Sequence, residues 1–455
     1  MNSARLTAFL LLVLDAAAVG MVFNVLAWIR GISEPGSWIT LPLLGPLALL
    51  AVAVYLIDGY DERTDMLSLD YTSLHGIALV AATVGTLLLT FAIIPANYPL
   101  QGSRAVILLG FAACLPLSLG YRRFFYLRYL QRQRLRHLLF VGDRVSCEAF
   151  QSECALNAFD RKIIYAHAGP QREAPDAPQS PHLRRFSDCL EEIQKGQSSV
   201  EAIILSDSSH ALPTDVSDIL DELYFQGVPT YTLAHFHQRY WRKISLAHIN
   251  QVWLFQEGFR IAREPVFLRL KRLVDLILAG TGLILFGWVI ALAMLGIRLT
   301  DGSPTLFKQR RIGKNRIPFT VYKLRTMRLS PADGTLLPDN ERITRFGRFL
   351  RASRLDEFPQ LWNVVRGEMS LIGPRAEWEA NARAYENAIP CYHFRHLVKP
   401  GITGWAQVNY PYGTNLENTR RKLEYDLYYI RHFSFILDAS IVLKTIHTIL
   451  AGKGR

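Results

Sequence analysis

The chain has 455 residues, half of them hydrophobic, with 51 basic against 39 acidic side chains and a formal net charge of +12. That length suits two or three domains, and the apolar share argues against a wholly soluble protein. The basic excess suits anionic lipid, a nucleotide-phosphate substrate or nucleic acid without choosing among them. Cys114, Cys147, Cys154, Cys189 and Cys391 are scattered, odd in number and free of C-x-x-C spacing, which reads as reduced thiols in a cytosol-facing protein and excludes disulfide staples.

Four apolar runs fill the first 120 residues: Leu6 to Ile29, Ile39 to Ile57, Leu74 to Ile94 and Ala105 to Leu119. The first is longer than a signal-peptide core and no small-residue cleavage pattern follows it, so residues 1–121 are expected to form a bundle of four retained transmembrane helices. Arg122, Arg123, Arg128, Arg132, Arg134 and Arg136 crowd the exit of the fourth run. The positive-inside bias puts that exit in the cytoplasm, and an even number of crossings puts the N-terminus there too. A basic cluster can also mark nucleic-acid binding, but its place against a membrane exit favours the topogenic reading. Asp15 lies inside the first run, where a hydrogen bond within the bundle is the expectation.

From 137 to 233 short apolar runs (Leu138 to Val141, Ile163 to Tyr165, Ala202 to Leu205, Thr230 to Leu233) alternate with helix-like segments such as Ser187 to Lys195 and Asp215 to Gln226. That alternation predicts a small Rossmann-like α/β module. Its first turn, from Val141 through Gly142 to Ser146, lacks G-x-G-x-x-G, so a structural or regulatory role is favoured over a dinucleotide. Gly169 to Pro181 reads as a surface loop. Residues 234–264 read as a linker whose histidines, His235, His237 and His248, lack ligand spacing for a metal.

Residues 265–455 carry the densest chemistry. Leu276 to Ile297 holds no charged residue, yet Arg269, Lys271 and Arg272 precede it and Lys308, Arg310, Arg311, Lys314 and Arg316 follow. A full crossing would export one basic flank, whereas a re-entrant helix near 276–297 keeps both in the cytoplasm. From Phe349 to Arg375, adjacent carboxylates Asp356 and Glu357 stand among Arg351, Arg354, Arg366 and Arg375. Leu355, Phe358, Leu361, Trp362 and Val365 recur at helical spacing, and Pro359 fits a first helical turn, which sets the acidic pair at or just before a helix N-terminus, where anions bind. The blander alternative is a capping box between Ser353 and Asp356 with the arginines as a solvated face.

The same stretch resembles the signature of the bacterial polyprenyl glycosylphosphotransferases, the large monotopic phosphoglycosyl transferases that make undecaprenyl-linked sugars for exopolysaccharide. Further blocks stand in family order on either side: Lys271-Arg272-Leu273-Val274-Asp275, Leu306 to Gly313, Tyr322-Lys323-Leu324-Arg325-Thr326-Met327, Lys399 to Asn409, and Tyr425-Asp426-Leu427-Tyr428-Tyr429. Val408 to Gly413 is most similar to the exosortase-associated branch. The resemblance implies a membrane bundle, a cytosolic α/β module and a mixed, mainly helical transferase domain on the cytoplasmic side of the inner membrane. In the family the re-entrant helix is broken at Ser-Pro; the matching place here is Gly287-Trp288.

The resemblance also implies roles. Asp356 would attack the sugar-bearing phosphate of a UDP-sugar, giving a phosphoglycosyl-aspartate and UMP, and polyprenyl phosphate at the lipid bilayer would then take the sugar phosphate. Glu357, with Asp356, would hold Mg²⁺. Lys323, Arg325, Arg351 and Arg375 would bind phosphate or organise the site, while Asp275 and Asp438 would be structural or support the catalytic groups from behind. A second copy of the chain or a glycan assembly complex is a further implied partner. Two other classes stay open: a nucleotide-sugar-sensing membrane regulator, which leaves the C-terminal blocks without a task, and a non-catalytic scaffold, which the intact Asp356 and Glu357 disfavour. Nucleic acid is the weakest partner, because the basic clusters track membrane boundaries and phosphate motifs.

Overall fold

The computed structural model describes residues 3–32, 38–61, 64–94, 99–133, 137–157, 159, 161–167, 183–195, 198–206, 214–246, 264–328, 342–410, 413 and 415–451. Residues 1–119 and 249–455 form one compact unit and 120–248 a second. Arg134, Arg136, His248, the expected loop Gly169 to Pro181 and most of the expected linker lie outside the described residues.

The first unit begins with α1 (Ser3–Ile29), α2 (Leu44–Leu56), α3 (Leu69–Leu88, continued by a π-turn Leu89–Ile93) and the part of α4 (Arg104–Gln133) up to Leu119. Among the described residues, α1, α3 with its π-turn, α4 and a later helix are long and apolar enough to cross a bilayer, whereas Leu41–Leu56 is shorter. The second expected crossing is therefore the short one, because a turn (Leu41–Leu43) takes up its first residues. Polar side chains inside this apolar unit find partners within it. Tyr60 donates its hydroxyl to Asp15 Oδ2 at 2.6 Å, which is the expected hydrogen bond. His75 and Ser118 join α3 to α4 at 2.6 Å. The Asn24 amide exchanges two bonds with the backbone of Ile39. In hydrocarbon such groups must be satisfied internally, and the His75–Ser118 bond ties one helix to another.

The second unit is a parallel sheet. Its strands are β1 (His137–Val141), β2 (Ile163–His167), β3 (Leu183–Arg185), β4 (Val200–Leu205) and β5 (Thr230–Thr232), in the order β3-β2-β1-β4-β5. Helices α5 (Arg144–Leu156), α6 (Phe186–Gln194) and α7 (Thr214–Phe225) alternate with them. Separate apolar clusters cover the two sheet faces, as parallel strands require. The chain stays in this unit past 233: α8 (Leu233–Phe236) and the π-turn His237–Trp241 put Leu233, Phe236 and Trp241 into one of those cores. Their aromatic content reads as a linker in sequence only because so short a segment shows no periodicity. His237 is buried beside Glu153, its Nε2 3.0 Å from Oε2.

The first unit resumes with α9, an unbroken helix of 37 residues from Pro265 to Asp301, about 55 Å long at 1.5 Å per residue. No break occurs at Gly287-Trp288, the place that matches the family's Ser-Pro, because glycine without proline removes no backbone donor and the hydrogen-bond ladder continues; the expected re-entrant turn near 276–297 is therefore not seen. One stripe of α9 is buried, at Lys271, Asp275, Ala279, Ala293 and Ile297, and Phe286 between them meets Phe358 at 5.5 Å. The other side exposes Ile277, Leu278, Ile284, Leu285, Trp288, Leu292, Leu295 and Leu299. An exposed apolar face of that length marks a surface meant for lipid.

After α9 come the antiparallel hairpin β6 (Leu306–Ile312) and β7 (Pro318–Leu324), α10 (Arg345–Ala352), a 3₁₀ turn Leu355–Glu357, α11 (Gln360–Arg366), β8 (Ser370–Ile372), α12 (Glu379–Ala388), β9 (Gly401–Thr403), α13 (Trp405–Asn409), α14 (Leu416–Arg431) and α15 (Phe435–Leu450). β8 and β9 pair in parallel. Gly373 and Gly401 make that pairing possible, since a Cβ on either would strike the backbone of the other's segment.

Candidate active site

The acidic pair sits where two helices meet. α10 ends at Ala352, and Arg354 then takes a left-handed conformation, φ 58°, that turns the chain into the 3₁₀ turn carrying Asp356 and Glu357. A side chain in this region costs on the order of 1 kcal/mol, and such strain clusters at functional sites. Pro359 stands immediately before the first residue of α11, so the pair lies just before a helix, as the sequence predicts. The capping box does not form: Ser353 Oγ donates back to Phe349 O and Leu350 O, closing the end of α10.

Both carboxylates are 9% exposed. Lys323, from β7, donates Nζ to Glu357 Oε1 at 2.7 Å, and Arg375, just past β8, donates Nη2 to the same oxygen at 3.0 Å. Burial alone would raise the Glu357 carboxyl, but the Arg375 and Lys323 charges outweigh it and hold this group well below the usual range. Asp356 moves the opposite way: burial and then the Glu357 charge raise it, against Lys323, Arg351 and Arg354. Lys323 is lowered by burial first and by Arg375 second. The pair thus comprises one carboxylate locked in its charged form and one neighbour closer to neutrality, a separation typical of sites that move charge.

The remaining predicted residues separate. Arg351 Nε donates to Thr326 Oγ1 at 2.9 Å beside the acidic turn. Arg325 is buried and turns away, its Nη2 bonding Asp301 O at 2.5 Å and Gly302 O at 2.9 Å, so it fastens the end of α9. Asp275 accepts from Ser370 Oγ at 3.1 Å and Leu371 N at 3.0 Å, fixing α9 to β8. Asp438 accepts from Lys271 Nζ at 2.5 Å and Tyr429 hydroxyl at 2.8 Å, fixing α15 to α9 and α14.

Three supporting residues receive no role from the sequence, although Arg272 and Asn363 stand inside the blocks quoted above. Asn363 is fully buried and bonds the β7 backbone twice, at Thr320 O (2.6 Å) and Tyr322 N (3.2 Å), aligning α11 with the strand that carries Lys323. Arg272 donates to Val364 O and Val365 O, closing the C-terminal end of α11 against α9. Arg395 donates to the Arg375 carbonyl. All three act across 20 to 93 residues of chain, beyond any motif window.

A metal can be tested against the donors present. Among the described residues no group of three or more His, Cys, Asp and Glu side chains converges. Both cations on Glu357 meet Oε1, which leaves hard oxygen on Oε2 and on Asp356. Two adjacent carboxylates completed by substrate phosphate and water suit Mg²⁺, which seldom uses an all-protein cage.

Residues 266–452 match the bacterial sugar transferase family. A protein of Aeromonas hydrophila named UDP-N-acetylgalactosamine-undecaprenyl-phosphate N-acetylgalactosaminephosphotransferase is 36% identical over 230 residues, covering 50% of this chain and 53% of that protein. A UDP-glucose:undecaprenyl-phosphate glucose-1-phosphate transferase of Xanthomonas campestris pv. campestris is 41% identical over 200 residues, covering 42% of this chain and 41% of that protein. An exopolysaccharide production protein of Rhizobium leguminosarum bv. phaseoli is 38% identical over 195 residues, covering 41% of this chain and 98% of that protein. The chain thus spans about half or less of the first two relatives and nearly all of the third.

Proposed function

The chain belongs to the bacterial sugar transferase family, and from that premise we propose that it moves a sugar 1-phosphate from a UDP-sugar to undecaprenyl phosphate, releasing UMP and starting assembly of an exopolysaccharide or related glycan. The observation that carries this reading is the buried Asp356 beside a Glu357 clamped by Lys323 and Arg375.

In the first half-reaction an Asp356 carboxylate oxygen attacks the phosphorus bearing the sugar, and the bond from that phosphorus to the bridging oxygen breaks. UMP leaves with the electron pair, and a phosphoglycosyl-aspartate remains. In the second, an oxygen of undecaprenyl phosphate attacks the same phosphorus, the aspartyl–phosphorus bond breaks and the carboxylate is regenerated. Lys323 and Arg375 hold the ionised Glu357 in place and lend positive charge where the phosphate oxygens gain negative charge. Arg351 and Arg354 supply further cations beside Asp356. Glu357 Oε2 and Asp356 would hold Mg²⁺, which when bound screens the charge on the phosphate oxygens.

The lipid-facing side of α9 supplies the membrane argument. Its opposite stripe is packed on the transferase elements from Lys271 to Ile297, so both ends of the helix stay with that domain. With no break to turn it back, α9 would not re-enter as the sequence predicts but lie along one face of the bilayer with its apolar side in the lipid, and that face is the cytoplasmic face of the inner membrane, where the basic flanks belong. There the phosphate head of a polyprenyl acceptor meets a nucleotide-sugar from the cytosol. Membranes containing the protein, given a panel of UDP-sugars, Mg²⁺ and undecaprenyl phosphate, should release UMP and form a polyprenyl-diphosphate sugar with at least one donor. No UMP from any donor would replace this reading with that of a scaffold or a nucleotide-sugar-sensing regulator.

A further inference from the structure

We propose that Arg395, locked by Asp426 and Tyr392, is a positioning residue that fixes the backbone of Arg375 and thereby aims the Arg375 guanidinium at Glu357. The inference rests on the transferase reading for its meaning in catalysis, and on geometry alone for the positioning itself.

Arg395 lies on a 3₁₀ segment, Tyr392–Leu397, and is 8% exposed; Asp426 on α14 is 2% exposed and Tyr392 is fully buried. Arg395 Nη2 donates to Arg375 O at 2.8 Å and to Asp426 Oδ2 at 2.9 Å, while Nη1 donates to the Tyr392 hydroxyl at 2.6 Å. Three partners on its two terminal nitrogens hold the rigid fork in one orientation, which a lysine point charge could not reproduce. Such a buried pair is weak evidence for stability, because desolvation cancels most of its attraction. Its effect here is directional: the backbone atom it holds belongs to a residue whose side chain reaches the acidic pair.

Arg375 needs that hold. Its side chain is 35% exposed and makes its contact with Glu357 through Nη2 at the far end of a flexible stem. The segment before it is tied by Gly401 N to Pro374 O at 3.0 Å and by the Arg375–Gly401 bridge. The Arg375 carbonyl on the following side is tied by Arg395. With both sides held, the stem starts from one place, and a displacement of about 1 Å at such a position can cost about 10²-fold in rate.

The test uses the full chain in nanodiscs. Arg395→Lys, which keeps the charge and loses the fork, should lower kcat about 10- to 100-fold with less than a threefold change in donor KM, and Asp426→Asn should follow it. Added to Arg375→Met, Arg395→Lys should cause no further loss, because the group it aims is already gone. Multiplicative losses, or Arg395→Lys turnover within twofold of the parent, would overturn the proposal. Amide exchange supplies a readout independent of turnover: protection at Gly401, which donates to Pro374 O, should fall in Arg395→Lys while protection of the α14 interior does not. Equal loss throughout the domain, or none at Gly401, also overturns it. Should Arg395→Lys fail to fold, Tyr392→Phe removes a single acceptor and keeps the ring; it should show the same local exchange change and a severalfold smaller kcat, and an unchanged kcat and exchange pattern would refute the proposal. A parent protein silent with every UDP-sugar would refute the transferase reading, and the exchange experiment would still decide the positioning.

Discussion

Lys323→Met removes one of the two cations on Glu357 Oε1 while leaving a side chain of similar length. At 2.7 Å and an effective dielectric constant of about 20, the pair attraction has a ceiling of about 6 kcal/mol. Breaking a buried pair typically costs about 3–5 kcal/mol, and Arg375 remains on the same oxygen, so a loss of about 2–3 kcal/mol is expected. Carried fully by the transition state, that is about a 30- to 150-fold fall in rate at about 1.4 kcal/mol per decade. The pH profile separates this role from simple packing. Lys323 is lowered from the ordinary lysine value by burial and Arg375, so its charge, and activity with it, should be lost as pH rises through a point below that value. Rates of UMP release across the alkaline range, measured in nanodiscs at fixed Mg²⁺, would show this limb in the parent protein. Lys323→Arg, which stays charged, should retain more activity than Lys323→Met and lack the limb. An alkaline limb unchanged in both variants, or Lys323→Met within twofold of the parent, would refute the reasoning.

Asp356→Asn keeps size and removes the attacking charge: with sugar-labelled donor, Mg²⁺ and no acceptor, the parent should hold label that added undecaprenyl phosphate discharges, and the variant should hold none; label on Glu357 would reverse the two roles. Glu357→Gln should instead weaken the dependence on Mg²⁺ or slow the chemistry, read from titrations of rate against metal. Gly401→Ala places a methyl group against the Gly373 backbone and should cost about 1–3 kcal/mol, seen as a lower thermal midpoint in detergent; an unchanged midpoint would show that β8 and β9 can separate at no cost. Single cysteines at Arg269 and Asn315, on either side of α9, should be labelled from the same side of sealed vesicles, and labelling from opposite sides would require α9 to cross.

The sequence by itself determined the apolar helices, the alternation that builds the parallel sheet and the acidic pair ahead of a helix, because each is written in neighbouring residues: runs of hydrocarbon, short strands between helices, a proline that fits only a first turn. It also pointed to Lys323 and Arg375, through the family resemblance and not through spacing. Tertiary structure alone decided that these two cations share one oxygen of Glu357, that Arg325 turns away to hold the end of α9, and that Ser353 closes α10 in place of capping the next helix. It decided too that Asn363, Arg272 and Arg395 align the site. Each of those outcomes depends on which distant backbone carbonyl or carboxylate a donor meets after the chain has packed. Local patterns encode which face is buried and where an element stops; partners separated by tens of residues are chosen by the packing of α9, β7, α11 and α14 against one another.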